Sequence, residues 1–323
     1  MGGGMSETYL VTGGAGFIGS HVVEELLKRG ESVRVIDNFS TGHRENLSDF
    51  ARDVHLVEGD LRSYERAHRA VAGADYVIHL AALPSVPRSV QDPLTTNAVN
   101  ITGTLNILLA ARDAGVRRVV TASSSSVYGP SAVSPKDESL VPSPISPYGV
   151  SKLAAEQYTA AFHAVYGLET VALRYFNVFG PRQDPNSQYS GVVPLFIKSA
   201  LEGRDPVIYG DGLQTRDFTY VSNVVEATLS ALSSGKAAGR VINVGCGGSH
   251  SLLDLVAAIE QASGRPLKPS FAPERAGDVK DSCADISRAR DLLGYEPRVS
   301  FGEGVGNTFE AVATHLALPH SQR

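Results

Sequence analysis

The chain has 323 residues, 42% of them hydrophobic and 20% charged, with a formal net charge of −5. That is enough apolar material for a large buried core, it excludes global disorder, and the missing basic excess argues against a nucleic-acid or anionic-membrane partner. Two cysteines, Cys246 and Cys283, show no CxxC or Cys/His spacing, so neither a disulfide scaffold nor a metal centre is expected, and the composition suits a reducing cytoplasm.

Residues 1–6 read as a loose leader, too polar and glycine-rich for a signal peptide, and no apolar run reaches the roughly 18 residues of a membrane span. β-branched runs then predict strands at Tyr9–Thr12, Ser32–Asp37, Val54–Glu58, Tyr76–Ala81, Arg118–Ser123 and Glu169–Phe176. Helical periodicity predicts Phe17–Arg29, Tyr64–Ala72, Leu94–Ala114 and Tyr148–Tyr166 between them. This alternation implies α/β architecture, a doubly wound parallel sheet whose ligands gather at the carboxyl ends of the strands. Ser131–Pro147 reads as a long surface loop, and Val178–Asn186 as a Gly/Pro-rich loop where the rhythm breaks. Further helices are expected at Val192–Glu202, Val221–Ser233, Leu252–Ala262 and Asp285–Leu293, with strands at Val207–Tyr209 and Val241–Val244. The chain thus divides into a doubly wound unit, residues 7–177, and a smaller mixed α/β unit, residues 178–323, with some later segments rejoining the sheet.

Thr12-Gly13-Gly14-Ala15-Gly16-Phe17-Ile18-Gly19 joins the first strand to the first helix. Glycines at 13, 16 and 19 permit a tight turn and close approach to a pyrophosphate, which the free N–H groups of the helix start then bind. Asp37 ends the second strand, where a carboxylate holds the ribose hydroxyls of NAD and repels the 2′-phosphate of NADP. Asp60 and Leu61 follow the third strand, where an adenine edge would lie, and Leu80, Ala81 and Ala82 follow the fourth with little bulk against the cofactor. Tyr148 and Lys152 share a helix face four residues apart, and Ser123–Ser126 follows the fifth strand. An ammonium beside a phenol stabilises the phenolate, which predicts a Tyr148 pKa drawn toward neutrality and a proton route for hydride chemistry at a nicotinamide. His21 and His79 fall inside the helix and strand patterns and read as structural.

With these motifs the chain resembles the extended short-chain dehydrogenases/reductases, specifically the NAD-dependent nucleotide-sugar epimerases. The likeness runs from Tyr9 to about Phe301 and includes Ser123–Gly129, Leu173–Pro181, Gly210–Val221 and Gly277–Asp285. It implies a Rossmann-type domain with a smaller substrate-binding domain. It implies Ser124, Tyr148 and Lys152 as the catalytic set. NAD contacts are implied at Gly13, Gly16, Phe17, Ile18, Asp37, Asn38, Asp60, Leu61, Leu80, Ala81, Ala82, Asn100 and Tyr175, beside Tyr148 and Lys152.

Within that family, Ser124-Ser125-Ser126 lacks the acid and base of dehydratases, and Asn177 stands where UDP-glucuronate 4-epimerases tend to carry Thr. The stretch Arg174–Asn186 and the segment Ser85-Val86-Pro87-Arg88-Ser89 resemble UDP-hexose 4-epimerases that accept N-acetylated sugars. The resemblance implies a diphosphate clamp from Arg216 and Arg275, a diphosphate or sugar-side contact from Asn177, a uridine-ribose contact from Asp278, and sugar contacts at Ser85 and Ser125 beside Ser124 and Tyr148. At Ser282 it implies an open gate, where a bulkier residue would block C2 substituents. The expected reaction is 4-epimerisation of a UDP-sugar, UDP-GlcNAc/UDP-GalNAc favoured and UDP-Glc/UDP-Gal also accepted, through a transient 4-keto sugar. A UDP-glucuronate 4-epimerase or CDP-sugar 2-epimerase is the alternative on the same scaffold, and a non-catalytic NAD-binding sensor the alternative of another class. Family members pair through the helices after Leu94 and around Tyr148, so a homodimer is expected, with Ile107, Leu108, Leu153 and Phe162 available either to the partner or to the sheet.

Overall fold

A computed structural model describes residues 7–187, 190–274 and 280–317 of the protein. The first unit runs β1 (Thr8–Thr12), α1 (Phe17–Lys28), β2 (Ser32–Asp37), β3 (Val54–Glu58), α2 (Tyr64–Val71) and β4 (Tyr76–His79). A short α3 (Val86–Gln91) follows, which the apolar periodicity does not reveal. One helix is expected over 94–114. The chain instead forms α4 (Pro93–Asn97), a π-helical turn at Ala98–Thr102, and α5 (Gly103–Asp113). Then come β5 (Arg118–Ser124), α6 (Pro147–Tyr166) and β6 (Glu169–Tyr175). Helix α6 starts sharply because the Ser146 Oγ accepts from Gly149 N at 3.1 Å and Pro147 occupies its first turn; it stops at Gly167, which takes a left-handed conformation.

The remainder runs β7 (Val178–Phe179), α7 (Val192–Leu201), β8 (Val207–Tyr209), β9 (Thr215–Arg216), β10 (Thr219–Tyr220), α8 (Val221–Ser233) and β11 (Arg240–Val244). It ends with β12 (His250–Ser251), α9 (Leu252–Ser263), β13 (Ser270–Ala272), β14 (Asp281–Ser282), α10 (Ser287–Leu293) and α11 (Phe301–Ala317). The 178–186 segment is therefore not all loop, since β7 pairs in parallel with β10.

Seven strands form one sheet in the order β11-β6-β5-β4-β1-β2-β3, every pairing parallel. This is the Rossmann order with β11 added on the β6 edge, and its direction of winding reverses between β1 and β4. Val22, Val23 and Leu26 of α1 share one buried layer with Val224, Val225 and Leu229 of α8. Ala67 and Ala70 of α2, Ile107 and Leu108 of α5, and Phe162 of α6 fill the layer on the other face. Ile107, Leu108 and Phe162 are thus spent on the chain's own core and are not available to a partner, and Leu153 packs against the first layer. A third cluster joins α7, α9 and α11 in the smaller unit.

The 131–147 segment is less superficial than its composition suggests. Lys136 is buried and donates its ammonium to Ser131 O at 2.9 Å. Its backbone donates to Cys283 O at 2.8 Å and accepts from Asp285 N at 2.9 Å, which fastens this segment to the one preceding α10.

Candidate active site

A cleft of about 680 Å³ opens at the carboxyl ends of the strands, over the point where the sheet order reverses. Gly13, in a left-handed conformation (φ +69°), turns the chain out of β1. A Cβ on it would stand 2.8 Å from the backbone of Ala81, and one on Gly19 would stand 2.1 Å from Gly13 O. Only bare backbone fits between β1, α1 and β4. Gly16 brings no side chain to cap α1, so the helix start is left to an anion.

Asp37, at the end of β2, accepts from Ala15 N at 3.0 Å through one oxygen and from Phe39 N at 2.8 Å through the other. Those two bonds orient it toward the cleft and leave lone pairs for a pair of hydroxyls; burial pushes its pKa up against them. Asn38 donates to Asp60 at 3.1 Å, and the guanidinium of Arg62 holds Asp60 down to about 2. Leu61, Leu80, Ala81 and Ala82 line the same wall. Asn100 does not. It is buried behind the wall, its carbonyl oxygen accepting from Leu83 N at 2.8 Å and its amide donating to Leu83 O and to the Ser151 hydroxyl. Tyr175 lines the cleft with its ring while its hydroxyl is shared with Thr228 Oγ1 at 2.7 Å.

On the opposite side, β5 delivers Ser124 and α6 delivers Tyr148 and Lys152 into the cleft. Ser124 is hydrogen-bonded to the Tyr148 phenol and to Ser126 Oγ, the latter at 3.1 Å. Lys152 donates to Ala122 O at 2.6 Å, and burial brings its pKa down to about 8. The phenol behaves differently from the sequence expectation. Its pKa is raised, because desolvation outweighs the bond from Ser124, and Lys152 is held by a strand carbonyl. Neighbouring Ser123 also lines the cleft, but its hydroxyl turns into the core and donates to Glu156 Oε2 at 2.7 Å. Ser125 and Ser126 remain on the wall.

Asn177, the last residue of the first unit, and Gln183 and Asp184 of the smaller unit line the cleft. Ser85, with φ +101°, caps α3 by accepting from Arg88 N at 3.2 Å, and Arg88 itself reaches the wall. Arg216 and Ser282 are neighbours on paired strands β9 and β14 and do not line the cleft, with Arg216 donating to Thr215 O at 2.8 Å and to Lys280 O at 3.2 Å. Ser282 is only 8% exposed. Buried Asp217 fastens that sheet, accepting from Cys246 N, Gly247 N and Ala284 N at 2.7–3.1 Å. Arg275 and Asp278 lie outside the described residues. Several parts of the wall are not singled out by the sequence reading, among them the Phe39–His43 turn, Leu83, and the Gln183–Asp184 pair. The signal available for the first is Ser40-Thr41-Gly42, which follows the ribose-side Asp37 after Asn38 and Phe39, where a small-residue turn can approach Ala15; a Cβ on Gly42 would stand 2.8 Å from the Ala15 carbonyl carbon.

Residues 9–245 match the family described as the NAD dependent epimerase/dehydratase family. A UDP-glucose 4-epimerase of Mycolicibacterium smegmatis is 40% identical over 310 residues, covering 93% of this chain and 97% of that protein. The solved UDP-glucose 4-epimerase of Thermotoga maritima, with UDP-glucose, is 39% identical with a TM-score of 0.91, over 96% of this chain and 99% of its own. The UDP-N-acetylglucosamine 4-epimerase of Methanobrevibacter ruminantium, in complex with UDP-N-acetylmuramic acid, is 40% identical with a TM-score of 0.92 over the same shares.

Proposed function

The chain belongs to the NAD-dependent epimerase/dehydratase family, and from that premise we propose that it inverts C4 of a UDP-hexose, with UDP-GlcNAc/UDP-GalNAc favoured and UDP-Glc/UDP-Gal also accepted. It is an isomerase, and its cofactor is NAD. The observation that carries the reading is the convergence of Ser124, Tyr148 and Lys152 on one cleft with the glycine turn and Asp37. The residues present suit NAD: a turn with no room for side chains, an uncapped helix start, and a carboxylate at the end of β2.

NAD, when bound, supplies a reversible hydride acceptor, so that C4 can pass through a ketone with no net redox change. In its phenolate form Tyr148 takes the proton of the C4 hydroxyl at its phenolic oxygen and gives it back after the sugar has turned over. Ser124 holds the reacting oxygen through a hydrogen bond, and Lys152 supplies positive charge beneath the phenol. Asn177, Arg216 and Arg275 hold the nucleotide diphosphate and Asp278 the uridine ribose while the sugar turns. Ser125 keeps its part of the wall small, which favours an N-acetyl group at C2.

A homodimer formed through α4, α5 and α6 fits the same reading. Val150, Tyr158 and Val165 of α6 are exposed at intervals of eight and seven residues, on one face of the helix. Leu94 of α4 is 83% exposed, and α4 packs on α6. A cytoplasmic location suits two free cysteines and an NAD-dependent reaction.

The test is an NMR assay of the purified protein with UDP-GlcNAc, UDP-Glc and UDP-GlcA offered separately and no reductant. UDP-GalNAc forming faster than UDP-Gal is the expected result. Turnover of UDP-Glc alone overturns the N-acetyl preference, and turnover of UDP-GlcA alone moves the substrate to the uronate class. Inactivity toward all three overturns the proposal.

A further inference from the structure

Behind the cofactor wall lies a chain of buried polar groups that touches neither the cleft's contents nor solvent. Ala81 N donates to Thr12 Oγ1 at 3.1 Å, and Thr12 Oγ1 is 2.8 Å from His79 Nδ1. His79 Nε2 is 2.9 Å from Thr104 Oγ1, and Thr104 donates to Asn100 O at 2.6 Å. Asn100 clamps both backbone groups of Leu83 and donates to Ser151 Oγ at 2.9 Å, and Ser151 donates to Tyr148 O at 2.8 Å. Thr12, His79, Asn100, Thr104 and Ser151 are all at most 3% exposed.

Counting protons fixes the direction of every bond. Thr104 has one hydroxyl proton and gives it to Asn100 O, so it can only accept from His79, and Nε2 must carry a hydrogen. In the neutral ring a hydrogen on Nε2 leaves Nδ1 bare, and Nδ1 then accepts the hydroxyl proton of Thr12, whose oxygen accepts from Ala81 N. An imidazolium would set two donors against Thr12, with Lys152 as a second buried cation in the same field. The Nδ1–H tautomer would take from Thr104 the proton it gives to Asn100.

We propose that His79, fixed as the neutral Nε2–H tautomer, is the positioning residue that sets the Leu80–Leu83 cofactor wall at a defined height against both the glycine turn and the first turn of the Tyr148 helix. Upstream it fixes Ala81, whose backbone lies within 2.8 Å of where a Gly13 side chain would begin. Downstream it fixes Thr104 and thereby Asn100, whose place on a π-helical turn carries its amide toward Leu83. A displaced wall would misplace the nicotinamide relative to the phenol, so the catalytic consequence rests on the role proposed above for Tyr148, whereas the tautomer and the NAD consequence do not.

Long-range 1H–15N correlation spectra of the 15N-labelled full-length protein test the first part. The His79 imidazole is assigned as the one perturbed at Nε2 by Thr104→Val, a change that keeps side-chain shape and removes the acceptor. Nδ1 should resonate as unprotonated and Nε2 as protonated throughout pH 5–8; titration in that range, or a proton on Nδ1, overturns the proposal. Thr104→Val and His79→Gln should each weaken NAD binding to the stripped protein about tenfold. In turnover they should lower kcat at saturating NAD with little change in KM for the sugar nucleotide. A folded Thr104→Val protein with unchanged NAD affinity and kcat overturns the positioning role. If instead the wild-type protein turns over none of the sugars yet shows the predicted tautomer and NAD losses, it is the epimerase reading that fails.

Discussion

Tyr148 and Lys152 share a helix face because they are one turn apart, and that much follows from spacing alone. Their proton affinities do not, because these depend on which atoms surround the pair after folding. Burial raises the phenol and lowers the amine to about 8. Tyr148→Phe removes only the titrating oxygen. It should cut turnover at least about a thousandfold while NAD and UDP binding change by less than threefold, which calorimetry and a turnover assay would separate. Lys152 predicts a pH effect on stability. An unfolded chain binds this proton up to the ordinary value of 10.5, whereas the folded chain releases it at about 8. Between those values the unfolded state holds more protons, so stability rises with pH across the window, and below about 8 the cost of charging the buried amine is fully present. Urea midpoints of NAD-stripped wild type and Lys152→Met at pH 8 and 10 should show the variant's gain over wild type shrinking as pH rises.

Element boundaries were legible wherever a periodic apolar run was long and bounded. β2, β3, β8 and α8 fall where the pattern predicts them. Helix α11 was hidden because Gly302, Gly304 and Gly306 sit at its start, and glycine normally weakens a helix by about 1 kcal/mol. The structure shows the reason for one of them: a Cβ on Gly304 would stand 2.9 Å from the rings of both Phe179 and Tyr220. Gly304→Ala should therefore destabilise the protein by about 1–2 kcal/mol, the overpacking cost exceeding the helix gain, as read from a denaturant midpoint. Gly306→Ala, with nothing within 4 Å of its Cβ, should do the reverse by up to about 1 kcal/mol. Two-residue strands such as β7, β9 and β14 carry no periodic signal, since their pairing is created entirely by distant segments.

At the scale of the whole molecule, the cofactor side of the cleft was legible because its parts follow strands of a sheet whose order is fixed by rule. Gly13, Asp37, Leu80 and Ser124 all sit just beyond or at strand ends. The substrate side was less so, since Gln183 and Asp184 reach the wall from an irregular segment whose course local patterning does not encode. The exposed stripe on α6 belongs to this scale too. Tyr158→Glu combined with Val165→Glu should convert the proposed dimer to a monomer in sedimentation equilibrium, leaving NAD binding within about twofold, because neither side chain lines the cleft.

Strand β11 lies some 65 residues beyond its neighbour β6, with β7–β10, α7 and α8 between them. On a ribosome releasing the chain from its amino end, the nucleotide half cannot complete its sheet until residue 244 has emerged. Until then β6 presents an unpaired edge of seven residues, six of them buried in the finished protein, open to any other nascent strand. A fragment cut at the apparent boundary near residue 177 would keep that edge permanently and should aggregate, whereas one ending after residue 244 would not expose it.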